Sequence, residues 1–164
     1  MTRPPFDPPT EADIAAVSAQ LGRPARNVIG IAARCVCGKP TVVSTRPRLD
    51  DGTPFPTLYY LSHPAATAAI STLEADGVMP TLAALLVDDV AHSYRAAHEQ
   101  YIADREGIEF VEEIAGISAG GMPTRVKCLH ALAGHALAAG PGVNPIGDLA
   151  LELCGWSPER CECA

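Results

Sequence analysis

This 164-residue chain has no excess of positive charge, few aromatic residues and no long apolar run. Twelve Lys and Arg stand against 19 Asp and Glu, a net charge of −7. That excludes broad, sequence-independent binding to nucleic acid, which needs a basic face. No apolar stretch reaches the roughly 18–20 residues that cross a bilayer, so no membrane insertion is expected. The opening Met1-Thr-Arg-Pro-Pro-Phe-Asp-Pro-Pro lacks the apolar core of an export signal, and the default compartment is the cytoplasm. Internal repeats and low-complexity tracts are missing too. So are C-x-x-C pairs, whose presence makes a zinc or ferredoxin assignment strong.

What remains is a composition able to build one core, 48% apolar and 19% charged. The six cysteines, with no export signal, read as reduced thiols, some of them metal ligands, rather than as a disulfide framework. The expected organisation is a flexible Pro-rich arm over 1–9, one domain over 10–153 and a cysteine-bearing tail over 154–164.

Local patterns supply the elements. Thr10 with Asp13 resembles a capping box, and Ile14, Val17 and Leu21 carry a helix to Gly22 over about 11–21. The β-branched runs 28–35 and 41–46 predict a hairpin with Cys35 and Cys37 at its tip. Residues 57–61 form a third strand, placed at an edge by the prolines before it. A helix over 63–75 follows, with Ser62 as its N-cap. A periodic stripe from Pro80 to Glu106 then breaks near Asp88-Asp89, and its 81–104 helix is core or the face of a homodimer. Residues 108–117 are loop or short strand, 123–139 a helix closed by Gly140, and 145–153 a last short helix. The fold class is α+β, a small antiparallel three-stranded sheet packed against five or six helices.

Several blocks resemble the DUF501 family, small actinobacterial proteins of unknown function. They are Arg34-Cys35 with Gly38 and Pro40; Asp51-Gly-Thr-Pro-Phe-Pro-Thr-Leu-Tyr-Tyr-Leu with His63-Pro64; Ala97-His98-Glu99; and Gly120-Gly-Met-Pro-Thr-Arg-Val-Lys-Cys-Leu-His130 through His135, Gly140, Gly142, Asn144-Pro145 and Gly147-Asp148. The resemblance covers roughly residues 10–150 and implies no activity. It implies weak genomic context, a septum-formation initiator and an exopolyphosphatase-like protein nearby. In the family pattern the Cys37 position is not normally cysteine, which ranks Cys37 below Cys35.

The chemistry-bearing residues suggest three functions. On an ideal helix over 123–139, Cys128 and His135 lie about 20° apart and share a face, while His130 and Lys127 point elsewhere. A metal site is therefore expected where Cys128 meets Cys35 from the hairpin tip and Cys161 and Cys163 from the tail, with Cys37 and His135 as secondary ligands. Zinc or an iron-sulfur cluster would suit such thiolates. Set against this, free cysteine is also among the most buried residue types. A second function is that of an enzyme or sensor binding a phosphate- or nucleotide-type anion, such as a phosphorylated small molecule, at a Gly120-Gly121 helix start with Arg125, Lys127 and Arg34. The third is a non-catalytic interaction module linked to cell division.

Overall fold

The computed structural model describes residues 6–163. Helix α1, Glu11–Leu21, opens with the expected reciprocal cap: the Thr10 side chain accepts from the Asp13 N–H at 3.1 Å, and Asp13 accepts from the Thr10 N–H at 3.0 Å. Strands β1, Val28–Arg34, and β2, Pro40–Thr45, make the hairpin. Strand β3, Tyr59–Leu61, pairs antiparallel with β2, giving the order β1-β2-β3 with β3 at an edge.

The register explains why the sheet is covered on both sides. Val43 pairs with Ile31 and Tyr60, and the next residue, Val42, pairs with Ala33 and Leu61. Because successive side chains face opposite ways, Val43, Ile31 and Tyr60 meet Val17 and Leu21 of α1. Val42 and Leu61 enter the larger core on the other face. Every residue of β2 is buried, and its Thr-Val-Val-Ser run accordingly lacks apolar-polar alternation.

The larger core comes from α2, Pro64–Ala75; α3, Met79–Ala83; α4, Asp88–Glu106; α5, Leu129–Ala139; and α6, Pro145–Cys154. The periodic stripe after Pro80 is interrupted between α3 and α4, and Glu112–Ile114 is a single 3-10 turn. The N-cap of α2 is His63 rather than Ser62, its Nδ1 accepting from the Ala66 N–H at 3.4 Å. The inner face of α4, with Tyr94, Ala97, Tyr101 and Arg105, is buried in its own chain. There the Tyr101 hydroxyl accepts from the N–H groups of Leu58, at 2.6 Å, and Tyr59, at 3.3 Å. Arg105, only 1% exposed, donates to the carbonyls of Pro56 and Ile114 at 2.8 and 2.9 Å, tying two loops to the helix. Helix α5 lies against β3 and α6. A Cβ on Gly134 would come within 2.9 Å of the Tyr59 carbonyl, and one on Gly147 would collide with the Leu132 carbonyl. Only glycine permits that approach.

The helix expected over 123–139 is shorter and begins at Leu129. Before it, the Gly120 carbonyl accepts from the N–H groups of Lys127 and Cys128 at 2.7 and 3.3 Å, and the Gly121 carbonyl from Arg125 at 2.8 Å. The chain therefore closes a loop here instead of a helical ladder. Gly120 and Gly121 hold φ values of 68° and 98°, which suit glycine.

The described segments before α1 and after α6 are tied to the sheet. Residues 1–5 of the expected arm lie outside the described residues, while Asp7 exchanges two backbone hydrogen bonds with Ile31, at 2.9 and 2.8 Å. After α6, Trp156 is buried with its ring centroid 5.3 Å from that of His63, and the Val36 N–H donates to the Pro158 carbonyl at 2.9 Å. The tail is thus packed on the hairpin tip.

Two stability predictions follow from these contacts. Tyr101→Phe strands two buried N–H groups and should lower the unfolding free energy by about 1–3 kcal/mol in urea titration. Arg34 grips Asp13 with two hydrogen bonds, at 2.8 and 3.0 Å, and this guanidinium holds the Asp13 carboxyl well below the usual carboxylate range. A depressed carboxylate stabilises the fold above its unfolded pKa of about 3.9 and loses that contribution as pH falls through the folded value. Asp13→Asn should therefore cost about 1–2 kcal/mol at neutral pH, and its deficit relative to the wild type should shrink below about pH 4.

Candidate metal centre

The hairpin tip is a tight turn. The Gly38 N–H donates to the Cys35 carbonyl at 2.8 Å, the Cys35 N–H donates to Lys39 at 2.8 Å, and Gly38 takes φ 91°. This folds Cys35 and Cys37, with Val36 between them, so that both sulfurs reach the same side. Docking of Trp156 and Pro158 brings Cys161 and Cys163 to the same place. The Sγ atoms of Cys35, Cys37, Cys161 and Cys163 all lie within 4.8 Å of one another, and these four cysteines could hold a metal ion. Cys35 is buried, Cys163 half-buried, and Cys37 and Cys161 exposed, so the group sits at the surface with its floor in the core.

All four thiols are free. Cys37 and Cys163 approach to 3.6 Å, well beyond the roughly 2.05 Å of a disulfide. A hydrogen bond from the Lys39 N–H, helped by the neighbouring thiols, brings the Cys37 thiol down to about 7, whereas burial and the other three thiols push Cys163 up to about 12. His63 adds a donor beside them, with Nε2 3.1 Å from Cys163 Sγ. Because its Nδ1 accepts from the Ala66 N–H, the ring proton belongs on Nε2 and points at sulfur. Burial lowers the His63 pKa, in keeping with a neutral donor.

The structure brings Cys35, Cys161 and Cys163 together, with Cys37 as the fourth member. Cys128 is not among them. It is the N-cap of α5 in an extended conformation, φ −144° and ψ 107°, so the helical wheel that put it beside His135 does not apply. It stands instead with Glu74 and His130. His135 is fully buried, stacked on Tyr59 at 5.7 Å and edge-on to Tyr101 at 5.1 Å. Asn144 uses Oδ1 for the Gly147 N–H, so its Nδ2 donates to His135 Nδ1 at 3.1 Å. Burial drops the His135 pKa to about 4, and the ring acts as a neutral part of the core.

The residues considered for anion binding are also separated by their partners. Arg34 is committed to Asp13, to Asp7 at 3.6 Å and to the Gly38 carbonyl at 3.0 Å. Arg125 and Lys127 are exposed on the 119–127 loop, and the loop N–H groups that could have faced an anion bond instead to Gly120 and Gly121. His98 is held by Ser118 at 2.7 Å. Sequence reasoning missed Glu74 and the contact of His63 with Cys163. Two C-x-C pairs of equal spacing were the available signal that Cys37 belongs with Cys163.

Fold and site together define a small α+β protein, with a three-stranded antiparallel sheet and six helices among the described residues, and a four-cysteine cluster that could hold a metal ion. The family model described as "Protein of unknown function (DUF501)" matches residues 31–152, and the chain belongs to that family. Comparisons with curated proteins and with solved structures give no match. Cys35 and Cys37 fall inside the matched region, Cys161 and Cys163 beyond it. Among the described residues no helix is long and apolar enough to cross a membrane.

The tail should depend on its aromatic anchor. Trp156→Ala is expected to cost about 3 kcal/mol and to free the last residues. Faster hydrogen exchange at the Val36 N–H and early proteolysis after α6 would register that release.

Proposed function

We propose that this protein binds one zinc ion through Cys35, Cys37, Cys161 and Cys163, and that the ion is structural, fastening the C-terminal segment to the hairpin tip. The observation that carries this reading is the convergence of four free sulfur atoms within 4.8 Å of one another. Tetrahedral zinc with Zn–S bonds of about 2.3 Å spaces its sulfurs about 3.8 Å apart. The 3.6 Å between Cys37 and Cys163 is close to that edge. An iron-sulfur cluster distributes its cysteines over separate iron atoms and holds them farther apart, so a single metal ion suits this spacing better.

Two hydrogen-bond donors face the group. The Lys39 N–H and the His63 Nε2–H both donate toward thiols of the group, which softens the negative charge of a tetrathiolate. Four protein ligands leave no open position, the mark of a structural rather than a catalytic ion. The linkage it makes is between segments more than a hundred residues apart in sequence, a long loop to close.

Elemental analysis of protein purified without oxygen should find zinc, and Cys37→Ser or Cys163→Ser should remove it. Chelation should lower the thermal midpoint by about 5–15 °C, restored on adding zinc. Iron in place of zinc would change the ion assigned. Absence of any metal from these four cysteines would falsify the reading.

A further inference from the structure

The four-thiol group leaves Cys128 unused, and that residue meets two other ligand-type side chains. Glu74, near the end of α2, and His130, in the first turn of α5, join it. One atom from each, a thiol sulfur, an imidazole nitrogen and a carboxylate oxygen, lie within 4.8 Å of one another. All three residues are half-buried.

Their hydrogen bonds orient them toward a common point. Glu74 Oε1 accepts from the Leu129 N–H at 2.8 Å and lies 3.2 Å from His130 Nδ1. His130 Nε2 lies 3.3 Å from the Thr67 carbonyl and 3.0 Å from the Ser71 hydroxyl. The Thr67 carbonyl and the Glu74 carboxylate can both only accept, so the ring can donate from Nε2 to Thr67 and from Nδ1 to Glu74, and a metal at Nδ1 would take the place of the second proton. A hydrogen bond from the far nitrogen to a carbonyl is how metal-binding histidines are usually held.

A Cys128 thiolate and the Glu74 carboxylate would both lie beside the His130 ring. A divalent ion among the three would neutralise both. The 3.2 Å between Glu74 Oε1 and His130 Nδ1 also matches the edge, about 3.3 Å, of a tetrahedron with nitrogen and oxygen ligands about 2.0–2.1 Å from zinc. Beside the group is a cavity of about 270 Å³ whose walls include Thr57, Tyr60, Leu61, Thr67, Cys128 and His130.

We propose that Glu74, Cys128 and His130 form a second zinc site, of the three-ligand kind, whose fourth position opens on this cavity and is filled by water. One sulfur, one nitrogen and one oxygen donor suit zinc better than a hard cation such as magnesium or calcium. Three protein ligands with an exchangeable water are the arrangement zinc uses for chemistry, where the metal activates that water. The two sites share no ligand, so each stands without the other.

Zinc per chain, measured on full-length protein loaded with zinc and then desalted, tests this directly. Two ions are expected in the wild type, and one in Glu74→Gln, in Cys128→Ser and in His130→Ala. Glu74→Gln keeps an acceptor for the Leu129 N–H, and circular dichroism of each variant checks that a lost ion is not a lost fold. Cys37→Ser should remove the other ion only. One zinc that disappears in Cys37→Ser and persists in all three second-site variants overturns this proposal and leaves the four-thiolate site intact. One zinc with the opposite pattern supports the second site and sinks the first. In the former case, rapid alkylation of Cys128 abolished by His130→Ala would make the group a thiol–imidazole pair instead.

Discussion

Burial of β2 on both faces is the constraint on which the rest of the molecule depends. A strand covered on one side only could slide or tilt; here α1 grips Val43 while α2 and α5 pack near Val42. Register is then set twice, because a slip by one residue would exchange both sets of side chains. With β2 fixed, the hairpin tip cannot move relative to His63, which follows β3 directly and caps α2. The same fixed strand holds β3 against α5, where Gly134 lets the helix approach the Tyr59 carbonyl. The hairpin tip and the helices that carry Glu74 and His130 are thus set around one strand, while Cys161 and Cys163 reach the tip through the docked segment of Trp156 and Pro158.

Much of this could be read from local sequence signals. Thr10 with Asp13, the β-branched runs around the hairpin, the Gly22 stop and the Asn144-Pro145 start each act within a few residues, and each appears where it was expected. The start of α5 was not legible in the same way. Thr124 through Cys128 fit a helical period, yet the two carbonyls of Gly120 and Gly121 draw back the N–H groups of Arg125, Lys127 and Cys128. That competition is won by a loop closure visible only in three dimensions. It also misdirected the thiols, since a Cys128 outside the helix has no fixed angle to His135.

Distance along the chain obscured the remaining features. Cys37 and Cys163 are separated by 126 positions, with the matching C-x-C spacing as the local sign that links them. Arg105 lies in a stripe whose spacing suits apolar residues, and it is buried because two carbonyls, Pro56 and Ile114, satisfy its guanidinium. Partners of this kind come from connections with no periodicity, so the pattern of one helix cannot reveal them.

The segment after α6 has a practical meaning for anyone dividing the chain. The matched family region stops at residue 152, so a fragment cut at that boundary keeps Cys35 and Cys37 but discards Trp156, Cys161 and Cys163. Such a piece would display half a coordination shell on an uncovered hairpin tip, and two copies could complete it between them. Dimers of a trimmed fragment would then reflect where the scissors fell, and would say little about how the intact protein assembles.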